Sequence, residues 1–126
     1  MQLDELKILI CDDSILVRKS FKDIIISLGC DQVFEANDGQ QAIDTYKKQK
    51  PDLVFLDIVM PVKTGIEALS EIMSYDSKAK VIIVSSIGTN SKLTEAIKIG
   101  AYNFFQKPID KVQLEKIIMD YVNKSN

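Results

Sequence analysis

Residues 53–57 read Leu-Val-Phe-Leu-Asp, four consecutive apolar side chains followed directly by a carboxylate. Unbroken apolarity over so short a run predicts a strand buried on both faces, as in a parallel sheet covered by helices. Similar short runs recur along the chain, and most of them are rich in β-branched or aromatic residues. The predicted strands are residues 7–11, 33–36, 53–56, 81–84 and 103–105.

Segments with the apolar spacing of helices follow each predicted strand. Capping residues mark where they begin, and glycine or proline marks most of their ends. Two of them begin with the spacing of a capping box, in which a side chain and the residue three positions later bond to each other's backbone. The first predicted helix follows Ser14 and ends at Gly29, and the second runs from Asp38 to the residue before Pro51. The third begins at Thr64, with Glu67 three residues later, and the fourth runs from Asn90 to Ile99. The fifth begins at Asp110, with Gln113 three residues later.

Strands that alternate with helices in this way predict an α/β fold, a (βα)5 doubly wound open sheet with right-handed crossovers. The predicted buried side of the first helix includes Ile15, Leu16 and Ile25, and that of the last includes Val112 and Leu114. In sheets of this kind, ligands bind beyond the carboxyl ends of the strands. The functional residues are therefore expected directly after each apolar run.

Composition excludes several classes of function. The 126 residues are 46% hydrophobic and carry a formal net charge of -2, which indicates one globular domain and argues against binding to nucleic acid. Histidine is absent and Arg18 is the only arginine, so no histidine base or histidine metal ligand is available. Cys11 and Cys30 are expected to be inert thiols in a reducing cytosol. With no leader pattern and no long apolar run, the sequence predicts a cytoplasmic protein without a membrane segment.

Polar residues follow four of the predicted strands. Asp12 and Asp13 follow the first, Asp57 the third, Ser85 the fourth and Lys107 the fifth. Two carboxylates about 4 Å apart repel each other by roughly 4 kcal/mol, so a cation must offset the charge. Oxygen ligands alone favour Mg²⁺, with Mn²⁺ as the alternative. A carboxylate nucleophile beside a metal, a lysine and a hydroxyl suits phosphoryl transfer to aspartate.

The same residues carry a family resemblance. Asp12-Asp13, the run Asp57-Ile58-Val59-Met60-Pro61 with Gly65 eight residues after Asp57, Ser85, and Lys107-Pro108 resemble the receiver domain of two-component response regulators. The likeness covers essentially the whole chain and is greatest to stand-alone CheY-like receivers. It implies a flavodoxin-like sheet of strand order 2-1-3-4-5 and a single receiver domain, residues 1–126, with no output domain.

The resemblance also assigns roles to individual residues. It implies that Asp57 is the phospho-acceptor and that Asp12, Asp13, Asp57 and the backbone carbonyl of Val59 hold Mg²⁺. Lys107 would contact the phosphoryl group.

A second set of implied roles concerns the switch. Ser85 falls on the switch hydroxyl and Phe104 on the switch aromatic, which in the family turns inward on phosphorylation. Phenylalanine replaces the frequent tyrosine here, so packing alone would report the switch. The peptide bond between Lys107 and Pro108 is typically cis in the family.

In function, the resemblance implies a phospho-accepting switch rather than a turnover enzyme. A partner histidine kinase would supply the phosphoryl group from a phosphohistidine. The surface of helix 4, strand 5 and helix 5 of a monomer would then bind a protein target, in a chemotaxis-type role. One alternative is a phosphorelay intermediate that passes phosphate to a histidine phosphotransferase.

Two alternative hypotheses come from other classes of protein: a flavodoxin-like carrier and a Mg²⁺-dependent phosphatase. Asp12-Asp13 would repel the phosphate of a flavin, which disfavours the first. Val59 occupies the position at which such phosphatases usually carry a second catalytic acid, which disfavours the second.

Val59 and Ile87, two residues after Asp57 and Ser85, are apolar where polar side chains are frequent in the family. Neither can orient a water for attack on an acyl phosphate, so we expect slow autodephosphorylation. The double replacement Val59→Asn and Ile87→Glu should shorten the phosphoryl lifetime, measured by following the phosphorylated mass over time. An unchanged or longer lifetime would refute this expectation.

Overall fold

The computed structural model describes residues 2–86 and 90–125. Its core is one sheet of parallel strands in the order β2-β1-β3-β4-β5, which confirms the expected fold class and strand order. Each strand extends through or one residue beyond the predicted run. The strands are β1 (Lys7–Cys11), β2 (Gln32–Ala36), β3 (Leu53–Asp57), β4 (Val81–Ser85) and β5 (Asn103–Gln106).

Burial on both faces holds only for the central strands. All residues of β3 and β4 are buried, as are four of the five in β1, whereas β2 and β5 have exposed residues. The expectation of full burial was wrong for β2 and β5 because they are edge strands. Each has a strand neighbour on one side only, so Glu35 and Phe104 can face solvent.

The helices agree closely with their predicted positions. Ser14, Asp38 and Asp110 are N-caps whose side chains accept backbone hydrogen bonds, and Thr64 and Glu67 form the predicted capping box. Asp110 accepts from the Val112 N–H, so the expected box with Gln113 is not formed. A 3-10 turn before β1 was not predicted. The helices are α1 (Ile15–Ser27), α2 (Gly39–Gln49), α3 (Gly65–Tyr75), α4 (Asn90–Ile99) and α5 (Lys111–Lys124).

Helices cover both faces of the sheet. Alternate strand residues point to opposite sides, so Val54 and Leu56 pack with α2, α3 and α4, while Leu53 and Phe55 pack with α1 and α5. Cys11 lies in the first core and Cys30 in the second. Both thiols are free, and burial raises the pKa of each, which favours the inert thiol form. Among the helices of the described residues, none has the length and apolarity needed to cross a membrane.

Three apolar residues expected in the core are exposed. Ile15 and Leu16 are 70% and 73% exposed and Val112 is 77% exposed. They stand in the first turns of α1 and α5, which begin beyond the carboxyl edge of the sheet. Val17 is the first apolar residue of α1 to pack against the core and Leu114 is the first of α5, so the expectation was wrong for the residues at the start of each helix.

The loop after β3 is fixed by close backbone contacts. The Gly65 N–H donates to the Ile58 carbonyl at 2.8 Å, and a Cβ on Gly65 would overlap the carbonyl of Asp57. Only glycine therefore allows α3 to begin this close to β3. The Lys63 N–H donates to the Pro61 carbonyl at 2.8 Å across Val62, whose φ is 67°. This is a γ-turn of the strained, positive-φ kind.

Val62 is a β-branched residue held at positive φ in this γ-turn, and its side chain is 76% exposed. Asparagine tolerates this conformation better, so Val62→Asn should raise the free energy of unfolding by about 1 kcal/mol. Chemical denaturation checks this. Val112, 77% exposed but helical, is the matched control, and Val112→Asn should give no such gain. A Val62→Asn variant no more stable than the native chain would contradict the strain argument.

Candidate functional site

The strand register brings the predicted functional residues to one edge of the sheet. Cys11 pairs with Leu56, so the residues that follow them, Asp12 and Asp57, lie side by side. Asp57 in turn pairs with Val84, directly before Ser85. Ser85 pairs with Gln106, which immediately precedes Lys107. Residues from four parts of the chain therefore converge because parallel strands end on the same side.

Asp12 is buried and held on three sides. Its N–H donates to the Ala36 carbonyl at 3.1 Å, and its Oδ1 accepts from the Ser14 N–H at 2.9 Å. Its Oδ2 lies 2.8 Å from Lys107 Nζ. That contact is an ion pair without hydrogen-bond geometry, so Oδ2 has no hydrogen-bond partner among the described residues. A buried carboxylate oxygen in this state can still accept a ligand.

Asp57 is the second buried carboxylate, with 5% of its surface exposed. Oδ2 accepts a hydrogen bond from Lys107 Nζ at 3.0 Å, and Oδ1 accepts from the Val59 N–H at 3.2 Å. Burial raises the pKa of the Asp57 carboxyl, and the nearby charge of Asp12 adds to the rise, while Lys107 and the Val59 amide oppose it. The net direction is upward, so the fold holds this carboxylate in an environment that disfavours its charge.

Lys107 is the cation that bridges the two buried carboxylates. The backbone N–H of Lys107 donates to the Ser85 carbonyl at 2.7 Å. The peptide bond between Lys107 and Pro108 is cis, as the resemblance implied. Burial alone would lower the pKa of Lys107, but the neighbouring carboxylates of Asp12 and Asp57 raise it. The ammonium is therefore firmly protonated where it meets the carboxylates.

Asp13 completes the acidic cluster from the solvent side. It is exposed, and ligand oxygens of Asp12, Asp13 and Asp57 lie within 4.8 Å of one another. Lys107 pairs with two of the three carboxylates, so the cluster has excess negative charge. The residues fit a hard divalent cation, because the atoms they offer are all carboxylate oxygens, and one of them, Asp12 Oδ2, is buried with no hydrogen-bond donor in the described part of the chain.

The predicted switch residues occupy different environments. Ser85 is buried at the end of β4, with 2% of its surface exposed, beside the carboxylates. Phe104 on β5 is 50% exposed and points away from the core that holds Phe105. Val59 is 61% exposed at the mouth of the site. Ile87, the other residue expected to affect hydrolysis, lies outside the described residues.

Sequence reasoning missed one residue at this site. Arg18 on α1 donates from Nη1 to the backbone carbonyl of Asp12 at 2.8 Å. The sequence held a weak signal, since the only arginine stands one helical turn after the Ser14 cap and therefore faces back towards the acidic pair.

The comparisons with known proteins agree with this geometry. The family model described as "Response regulator receiver domain" matches residues 8–119. The chain therefore belongs to the response regulator receiver domains, the class that accepts phosphoryl groups as a switch in two-component signalling.

Within that family, the chain is similar to CheY proteins. It is 44% identical over 102 residues to the chemotaxis protein CheY of Thermotoga maritima, covering 81% of this chain and 85% of that protein. It is 40% identical over 119 residues to CheY of Bacillus subtilis, covering 94% and 96%. Among solved structures, a chain in the CheX-CheY-BeF3-Mg²⁺ complex of Borrelia burgdorferi has a TM-score of 0.86 at 35% identity, with coverage of 91% and 87%. The chain is thus a CheY-like receiver domain.

The raised pKa of Asp57 predicts the stability of a neutral variant. In the folded chain the ionised carboxylate is disfavoured relative to the unfolded chain, so its charge lowers stability at neutral pH. Below about pH 4, where the unfolded chain also protonates this group, that cost disappears. Asp57→Asn should therefore raise the melting temperature of the metal-free protein at pH 7, and the gain should shrink as pH falls.

Thermal unfolding in the presence of a chelator measures the melting temperature at pH 7 and its change as pH falls. The control is Asp31→Asn, at an exposed position, which should leave the melting temperature nearly unchanged. A destabilised Asp57→Asn protein at pH 7 would contradict the electrostatic description of the site.

Proposed function

We propose that this chain accepts a phosphoryl group on Asp57 from the phosphohistidine of a partner histidine kinase. One observation carries the proposal: the buried Asp57 carboxylate lies 3.0 Å from Lys107 Nζ and shares its edge of the sheet with Asp12 and Asp13. The group that would react is held in place, and the charges that would face the incoming phosphate are already assembled.

The transfer needs no catalytic base. A carboxylate oxygen of Asp57 forms the new P–O bond while the P–N bond to the donor imidazole breaks, and the electron pair of that bond goes to the imidazole nitrogen. The Lys107 ammonium stabilises the negative oxygens of the moving phosphoryl group. Burial of Asp57 removes competing water, and the Val59 N–H holds one of its oxygens in position.

Mg²⁺ is the cofactor that fits this site. Asp12, Asp13 and Asp57 would hold it, with the backbone carbonyl of Val59 as a further ligand, and Mn²⁺ could replace it. Bound there, the ion would supply positive charge that offsets the carboxylates and stabilises the negative phosphoryl group. Receiver domains as a family bind Mg²⁺ in such an acidic pocket, and the ligand set here is consistent with that property.

The output would be a change in surface shape. A phosphoryl group on Asp57 attracts the Lys107 ammonium and the Ser85 hydroxyl, and Phe104 would turn from its exposed position into the space that Ser85 vacates. The surface of α4, β5 and α5 would then bind a protein target. Shifting this equilibrium from 1:99 to 99:1 requires about 5.5 kcal/mol of differential stabilisation.

A chemotaxis-type role, as a monomer, is the specific function we infer. Its support is the similarity to CheY proteins over 85% and 96% of their lengths. The alternative is a phosphorelay intermediate that returns the phosphoryl group to a histidine phosphotransferase. Incubating the phosphorylated chain with such a domain and following loss of label separates the two, because rapid transfer favours the relay.

Incubation with acetyl phosphate and Mg²⁺, followed by intact-protein mass spectrometry, tests the acceptor. The native chain should gain one phosphoryl group, and chelation of Mg²⁺ should abolish the gain. Asp57→Asn should gain nothing, whereas the exposed control Asp31→Asn should behave like the native chain. A Mg²⁺-dependent gain that persists in Asp57→Asn would place the acceptor elsewhere and overturn the proposal.

A further inference from the structure

We propose that Arg18 is a positioning residue for the divalent cation: it fixes the Asp12–Asp13 peptide and so sets the affinity of the acidic cluster for Mg²⁺. The inference rests on the proposed function, in which these carboxylates hold the ion. The hydrogen bonds of Arg18 are to the Asp12 backbone carbonyl and to Glu35, not to the carboxylates of the cluster. It acts through the backbone of the residues that carry those carboxylates.

The contacts of Arg18 join three elements at the site. From α1, Nη1 donates to the Asp12 carbonyl at 2.8 Å, and Nε donates to Glu35 Oε1 on β2 at 3.0 Å. The Arg18 side chain is only 12% exposed. The guanidinium group is planar and rigid, so anchoring it on Glu35 also fixes the direction in which Nη1 donates.

Asp13 depends on this contact more than the other carboxylates do. Asp12 is fixed by the Ser14 N–H and by Lys107, and Asp57 by Lys107 and the Val59 N–H. Among the described residues, no donor holds the exposed carboxylate of Asp13. The direction of its side chain is therefore set by its backbone, and the Asp12 carbonyl is part of the peptide group that leads into it.

The N–H and the carbonyl of Asp12 are hydrogen-bonded to two different elements. The Asp12 N–H donates to the Ala36 carbonyl of β2, and the Asp12 carbonyl accepts from Arg18 of α1. Without Arg18, the peptide after Asp12 could rotate, and the Asp13 carboxylate would spend less time in the cluster. Residues that orient metal ligands in this indirect way commonly change affinity by about tenfold to a hundredfold when removed.

The direction in which Mg²⁺ affinity changes when Arg18 is replaced distinguishes positioning from simple electrostatics. Arg18 is a cation close to an acidic cluster, so if its charge were what mattered, removing it would tighten Mg²⁺ binding. If it acts by positioning Asp13, removing it weakens binding despite the more favourable charge. The two explanations thus predict opposite changes from one substitution.

Lys22 provides a matched control. It also lies on α1 and pairs with Glu35, at 3.7 Å, but it makes no contact with the Asp12 carbonyl. Lys22→Met removes one positive charge from the same ion-pair cluster and leaves the peptide in place. A second variant, Arg18→Lys, keeps the charge, but the side chain ends one bond short of Nη1 and cannot make the same hydrogen bond.

The experiment is a Mg²⁺ titration of the native chain, Arg18→Met, Arg18→Lys and Lys22→Met, followed by the backbone amide signals in NMR spectra. Circular dichroism establishes that each variant is folded at the titration temperature. We expect Arg18→Met to bind Mg²⁺ about tenfold more weakly than the native chain, and Lys22→Met to bind it equally or slightly more tightly. Arg18→Lys should also bind more weakly although its charge is unchanged.

Arg18→Met or Arg18→Lys that binds Mg²⁺ as tightly as the native chain would overturn the inference. Should Arg18→Met fail to fold, the comparison of Arg18→Lys with the native chain decides the question. Failure of the native chain itself to bind Mg²⁺ would instead overturn the proposed metal site. The two failures are therefore distinguishable.

Discussion

Repulsion among Asp12, Asp13 and Asp57 governs the carboxyl edge of this sheet. Their ligand oxygens lie within 4.8 Å of one another, and Lys107 is the cation that bridges the two buried members. At such distances the repulsion between two carboxylates is on the order of 4 kcal/mol, comparable with a large share of a domain's net stability. The cluster persists because the surrounding fold fixes it, and it retains the capacity to bind a further cation.

The backbone of the fold holds these mutually repelling carboxylates together. Parallel register sets Asp12 beside Asp57 and places Lys107 across from them, so the electrostatics follow from where strands end. Gly65 lets α3 begin against the Asp57 carbonyl, and the cis bond to Pro108 follows Lys107 directly. Arg18 ties the acidic turn to both α1 and β2. Helices on both faces bury the strands and give the site a rigid base.

Much of this could be predicted from the sequence because apolar periodicity reports burial directly. Continuous apolar runs identified β1, β3 and β4, and the polar residues that end them identified the cluster. The strand order came from the family resemblance, since local patterns carry no information on which strands are neighbours. The exposure of Ile15, Leu16 and Val112 was not foreseen because periodicity does not show where a helix first meets the sheet. The position of Arg18 one turn after Ser14 was only a weak signal, because side-chain patterns do not encode a hydrogen bond to a backbone carbonyl.

We infer that the carboxylate cluster requires positive charge, so Lys107 in the metal-free chain and Mg²⁺ compete for the same oxygens. The most direct measurement is the Mg²⁺ dissociation constant of Lys107→Met by calorimetric titration, compared with the native chain and with Lys78→Met, which removes an exposed lysine remote from the carboxyl edge. We expect Lys107→Met to bind Mg²⁺ about tenfold more tightly, equivalent to about 1.4 kcal/mol, and Lys78→Met to change the affinity little. Equal or weaker Mg²⁺ binding by Lys107→Met would contradict this inference.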